Sequence, residues 1–116
     1  MKLFILLLFL SSAALPQVNE FKSIDEFKSL LEKKHFRVEN GPELMAIGNS
    51  LEAQHLIVEG VQIGFTLWSN SKAAKKCAAG INLLVGNKSQ YVIRNVVMDA
   101  TSITGNSVVK RLIMLK

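Results

Sequence analysis

Cysteine occurs once in this 116-residue chain, at Cys77, so no intramolecular disulfide can form and the fold must rest on packing. Proline occurs twice, at Pro16 and Pro42, which leaves no proline-rich linker to divide the chain. Aromatic residues make up 7%, too few to interleave with the lysines as stacking platforms, which speaks against a nucleic-acid partner. Acidic residues nearly vanish from the second half: Asp99 is the only one after Glu59, against eight lysines and arginines. No apolar run beyond Leu10 approaches the roughly 20 residues that a membrane-spanning helix needs, so no transmembrane segment is expected.

The chain opens with Lys2, the apolar run LFILLLFL from Leu3 to Leu10, and the small residues Ser12-Ala13-Ala14. A positive start, a short apolar core and a small-residue cleavage site are the parts of a signal peptide. The expected organisation is a cleaved signal peptide (1–14), a short N-terminal extension (15–22) and one domain (23–116), in a secreted or periplasmic protein. A mature chain of about 100 residues is enough for a single modest core.

Ile24 to His35 has the pattern of an amphipathic helix. Ser23 is a good N-cap, Glu26 completes a capping box, and Ile24, Phe27, Leu30 and Leu31 share one face. Phe21 is placed to act as a hydrophobic staple, and Lys33, Lys34 and His35 suit the C-terminal end of the dipole. Phe36 to Glu39 suits a short strand. Asn40-Gly41-Pro42 then breaks the chain. From Pro42 to Gln54 the register of Leu44, Ile47 and Leu51 favours a helix. A hairpin turning at Gly48-Asn49 is the alternative, because glycine inside a helix costs about 1 kcal/mol relative to alanine.

His55 to Trp68 is the centre of the pattern. Val61, Ile63, Phe65 and Leu67 alternate with Gln62, Gly64, Thr66 and Trp68, the period of a half-buried strand. Leu56 and Val58 have the opposite parity. A bulge at Glu59-Gly60 would bring them onto the same face, and two strands joined there is the competing reading. Lys72 to Val85 reads as a helix whose inner face is Ala73, Ala74, Cys77, Ala78, Ile81, Leu84 and Val85. Tyr91 to Ile103 and Ser107 to Lys116 read as a C-terminal hairpin on a type II′ turn at Gly105-Asn106, apolar on both faces. The expected fold is a small α+β domain, with an antiparallel or mixed sheet of about four strands packed by two to three helices.

The residues offer little chemistry. Cys77, His35, His55 and Asp99 are scattered without a local signature, so no catalytic set is expected and the chain is read as a non-enzyme. Two histidines and one cysteine at long spacing make no metal site, and no glycine loop precedes a helix to hold a phosphate, so no cofactor is expected. Asn87-Lys88-Ser89 matches a glycosylation acceptor, with Asn87 in a loop.

The charge split carries the functional expectation. Lys72, Lys75 and Lys76 cluster without an acid to neutralise them, and Lys110 and Arg111 follow later. With Trp68 as a contact residue, they suit a secreted interaction domain that docks an acidic protein, an anionic glycan or lipid headgroups, as an inhibitor, ligand or effector. The alternative is a carrier of a small apolar ligand held between the 72–85 helix and the sheet, with Val61, Ile63, Phe65 and Leu67 facing Ala73, Cys77 and Ala78. A membrane-active, antimicrobial role would rest on net charge alone. Homo-oligomerisation through the C-terminal hairpin is compatible with each of these.

Overall fold

The structure is a computed structural model that describes residues 20–115. The expected signal peptide and residues 15–19 of the extension lie outside the described residues. In chain order the elements are α1 (Ile24–Lys33), β1 (Val38–Glu43), β2 (Glu52–Val58), β3 (Val61–Leu67), α2 (Ser71–Val85), β4 (Gln90–Ile93), β5 (Val96–Asp99) and α3 (Ser107–Ile113). The five strands form one antiparallel sheet in the order β1-β2-β3-β5-β4. The described residues therefore form a small α+β unit of five strands and three helices.

Local chemistry explains most of these boundaries. Ser23 caps α1 by accepting from the Glu26 amide at 3.1 Å, while Glu26 reaches back to the Lys22 amide at 2.8 Å. The staple forms as expected, with the Phe21 and Phe27 rings edge to face at 5.4 Å. α2 begins at Asn70, whose side chain accepts from the Ala73 amide, and stops at Gly86 in the left-handed conformation, φ 83°.

The parity slip in the central stretch has a simple origin. Glu59 and Gly60 both have positive φ, 51° and 82°, the signature of a two-residue type I′ turn. The stretch is thus two strands of a hairpin, and pairing of Leu56 with Ile63 and Val58 with Val61 brings all four to one face without a bulge.

That face carries the main core. Leu56, Val58, Ile63, Phe65, Val96 and Met98 pack against Ile24, Phe27 and Leu31 of α1 and against Val109 and Leu112 of α3. On the opposite face α2 is the covering helix among the described residues, and its Ala74 and Ala78 meet Val97 and Trp68. Phe65 and its neighbours therefore face α1 and α3, not α2 as the carrier expectation had them. The alternation was read correctly, but the covering helices are α1, earlier in the chain, and α3, near its end.

Three further expectations are corrected. No helix forms over 42–54. β1 runs to Glu43, an irregular strap covers 44–51, and a turn at Gly48-Asn49 is closed by the Ser50 amide on the Ile47 carbonyl at 3.0 Å. The C-terminal hairpin is not formed either. β4 and β5 pair through a turn at Arg94-Asn95, and 107–113 is helical, capped by Asn106, which accepts from the Val108 amide at 2.7 Å. Burial of Val108, Val109 and Leu112 against the core outweighs the β-preference of valine. The oligomer-forming edge proposed for that hairpin therefore has no strand to supply it. Finally, Leu84 is 88% exposed, so the inner face of α2 ends before its last turn.

Asn95 ties the N-terminal stretch to this frame. Its carboxamide oxygen accepts from the Phe21 amide at 2.8 Å, and its nitrogen donates to the carbonyls of Phe21 and Trp68 at 2.9 and 2.8 Å. Among the described residues, no buried side-chain nitrogen or oxygen lacks a hydrogen-bond partner.

Candidate functional site

The second face of the sheet is only partly covered, because α2 packs over β4 and β5 and leaves β3 to the 44–51 strap. Along β3 the residues pointing to this side are Gln62, Gly64 and Thr66, with Trp68 following. Between strap and helix lies a groove. Its larger lobe, about 590 Å³, is bounded by Ile47, Trp68, Ala73, Lys76, Cys77 and Ile81. A second lobe, about 230 Å³, shares Ile47 and Ile81 and continues over Thr66, Gly64 and Val97 to a polar wall of Gln90, Asp99 and Thr101. The larger lobe falls in the range of small-molecule sites, roughly 300–1,000 Å³, and the smaller one lies just below it.

The sequence explains why the gap exists. Helix positions 73, 74, 77 and 78 are alanine, alanine, cysteine and alanine, which lets α2 lie close to β4 and β5 yet gives it no side chain long enough to cover β3. Gly64 adds to the space by having no side chain. A methyl group there would lie 3.2 Å from Leu44 Cδ2, so the strap rests directly on this glycine. The apolar side chains of the strap stay accessible: Met45, Ile47 and Leu51 are all exposed, and Met45 and Ile47 line the groove.

Trp68 is both packed and at the site. It is buried, its indole N–H donates to Thr66 Oγ1 at 2.9 Å, and its ring lies under Gly48 of the strap. Cys77 lines the same lobe as a half-buried thiol, and burial pushes its pKa up.

The polar wall centres on Asp99. Partial burial alone would raise its carboxyl, but hydrogen bonds from the Thr101 hydroxyl, the Thr101 amide and the Gln90 side chain, with the charge of His55, outweigh this and hold it below the usual range. All three bonds fall on Oδ1, from Gln90 Nε2 at 2.8 Å, the Thr101 amide at 3.0 Å and the Thr101 hydroxyl. Beyond Asp99 a small polar recess of about 200 Å³ contains His55 and Gln62. His55 Nδ1 lies 3.2 Å from the Pro42 carbonyl, and since a carbonyl only accepts, this bond places the proton on Nδ1.

The sequence-selected residues divide. Trp68 and Lys76 meet at the groove, with Lys72 one helical turn earlier on the same side. Lys75 turns instead toward the β4 edge, where it shares a shallow recess with Lys88. Lys110 and Arg111 sit on α3, across the sheet from α2, and the Arg111 guanidinium lies 4.4 Å from the centre of the Phe36 ring. Asn87 is exposed just after α2. Of the scattered titratable residues, His55 and Asp99 share a recess, Cys77 lies in the larger lobe, and His35 ends α1 exposed with φ 73°.

Among the described residues, no three histidine, cysteine, aspartate or glutamate side chains gather where they could hold a metal ion, and no helix is long and apolar enough to cross a membrane. Sequence reasoning had the turn at Gly48-Asn49 as its alternative and a ligand between the 72–85 helix and the sheet, but it did not place the strap beside α2, which depends on which face that helix covers. Comparison with protein-family models, curated proteins and solved structures returned no match.

Proposed function

We propose that this chain is a non-enzymatic binding domain and that its site is the groove between α2 and the 44–51 strap, where it carries a small apolar or amphipathic molecule. The observation behind this is the apolar lining itself: Ile47, Ile81, Trp68 and Val97 converge beside exposed Met45 on a strap without regular structure. Apolar grooves with a few polar groups are the usual form of ligand sites. The test uses Trp68, the chain's only tryptophan, as a reporter. Titration with dodecanol below its solubility limit should change Trp68 emission saturably and give a one-to-one complex by native mass spectrometry. Ile47→Glu, on the exposed strap, should abolish both signals; unchanged binding by this variant would refute the site.

A second reading retains the docking of an acidic protein or anionic surface, now confined to the α2 side. It is favoured by Lys72, Lys75 and Lys76, which are exposed on a helix without an acidic residue. Charge reversal of all three should remove salt-sensitive retention on heparin, whereas Ile47→Glu should leave most of it.

A further inference from the structure

The two ends of the groove differ in charge, and this difference selects a ligand class. At one end stands Lys76, a cation on a helix that carries no acid. At the other end the donors of the wall are turned inward. Gln90 Nε2, the Thr101 amide and the Thr101 hydroxyl all point to Asp99 Oδ1, while Asp99 Oδ2 accepts from no described residue. Asp99 borders both the smaller lobe and the recess of His55, whose charge acts on it, and leaves a carboxylate oxygen as the acceptor of that end. An anion is drawn to the lysine end and repelled from the aspartate end, and a hydroxyl is matched to Asp99.

The distance between the ends follows from the backbone. From Trp68 to Gly64 the groove spans four strand residues, about 14 Å. Along α2 the wall runs from Ala73 to Ile81, eight helix residues or about 12 Å, with Lys76 three residues in from its start. The strand wall, which ends at Gly64 beside Asp99, has the reach of a medium-length acyl chain, and between the ends the lining is Ile47, Ile81, Thr66 and Val97.

We infer that the occupant is a linear amphipathic acid, seated with its carboxylate at Lys76, its hydrocarbon body between the strap and α2, and a hydroxyl-bearing far end at Asp99. This rests on the groove reading above and adds to it the ligand's chemistry and direction.

Three probes of equal chain length test it: dodecanoate, ω-hydroxydodecanoate and dodecanol, each below its micellar or solubility limit, titrated into the full domain by calorimetry and Trp68 emission. The expected order of affinity is ω-hydroxydodecanoate, then dodecanoate, then dodecanol. Lys76→Ala, an exposed helix position where alanine is well tolerated, should weaken both acids about tenfold, the size of a lost charge-assisted hydrogen bond, and leave dodecanol unchanged. Asp99→Asn should erase the advantage of the hydroxylated acid over dodecanoate. If dodecanol binds as tightly as dodecanoate, or Lys76→Ala weakens all three alike, the assignment of the head is overturned while the groove stands. If ω-hydroxydodecanoate binds no better than dodecanoate, the far-end assignment is overturned. If none of the three binds, the groove reading fails and this inference with it.

Discussion

Replacing Asn95 by alanine should be among the most damaging polar substitutions in this domain. The residue is 1% exposed, and its side chain makes three hydrogen bonds that join Phe21, Trp68 and the β4–β5 turn. Truncation removes all three and strands the Phe21 amide and two carbonyls near the core. Each such loss costs about 1 kcal/mol, and more where water cannot reach the orphaned group, so the total should be about 3–5 kcal/mol. That is a large share of the 5–15 kcal/mol typical of a domain. In equilibrium urea unfolding, a slope of about 1.5 kcal/mol/M converts it to a midpoint about 2–3 M lower. Asn95→Asp is the control. It keeps the acceptor for the Phe21 amide but replaces two donors with a buried negative charge facing two carbonyls, so it should be at least as destabilising at pH 7 and should recover as its carboxyl is protonated. A loss below 1 kcal/mol for Asn95→Ala, or no recovery of Asn95→Asp in acid, would refute the role given to these bonds.

Phe27, fully buried between Phe21 and Phe65, should cost about 3–5 kcal/mol on truncation to alanine, read by the same unfolding assay. Gly64→Val should press the strap away from β3 through Leu44 and narrow the groove, lowering affinity for dodecanol at least severalfold in the Trp68 titration while urea unfolding stays cooperative. The Asp99 carboxyl lies lower in the folded state than in the unfolded chain, so its stabilisation is complete above the ordinary carboxylate value and lost as pH falls through the lowered one. Thermal melts from about pH 7 to pH 2 should therefore show wild type and Asp99→Asn converging toward acid; a gap that stays constant would exclude this linkage. Cys77, raised by burial, should react with iodoacetamide several times more slowly than a free thiol at neutral pH, accelerate above the ordinary thiol range, and be protected by dodecanoate.

Elements with local signals were legible in the sequence. α1 was readable because Ser23, Glu26 and the Ile24–Phe27–Leu31 face are encoded within a dozen residues, and α2 because Ala74, Cys77, Ala78 and Ile81 recur at helical spacing. The C-terminal segment was not. Val108, Val109, Ile113 and Leu115 have strand-like composition, and only contact with a core built from residues 24–98 makes a helix the better way to bury them. Of the site, Trp68 and Lys76 were singled out from sequence, and they do meet. Asp99 was noted as a titratable group, but its hydrogen bonds to Gln90 and Thr101 depend on β4–β5 pairing that the wrong hairpin obscured. Asn95 gave no signal, since its partners lie 74 and 27 residues away.

The groove can be traced to an imbalance between the faces of one sheet. On the first face, strands supply leucine, isoleucine, phenylalanine and methionine, and two helices answer with side chains of similar size, so the layer closes. On the second, β3 offers glycine and threonine, and α2 answers with alanines, so the helix is held near β4 and β5 and cannot spread over β3. The chain instead supplies a strap whose apolar residues remain exposed, an arrangement with no evident benefit to stability, since exposed apolar side chains gain nothing from burial. Stability is concentrated on one face, and the other is left open with a lysine at one end and an aspartate at the far one. That division suits the binding role proposed above, with a closely packed layer behind the site and an irregular strap in front of it.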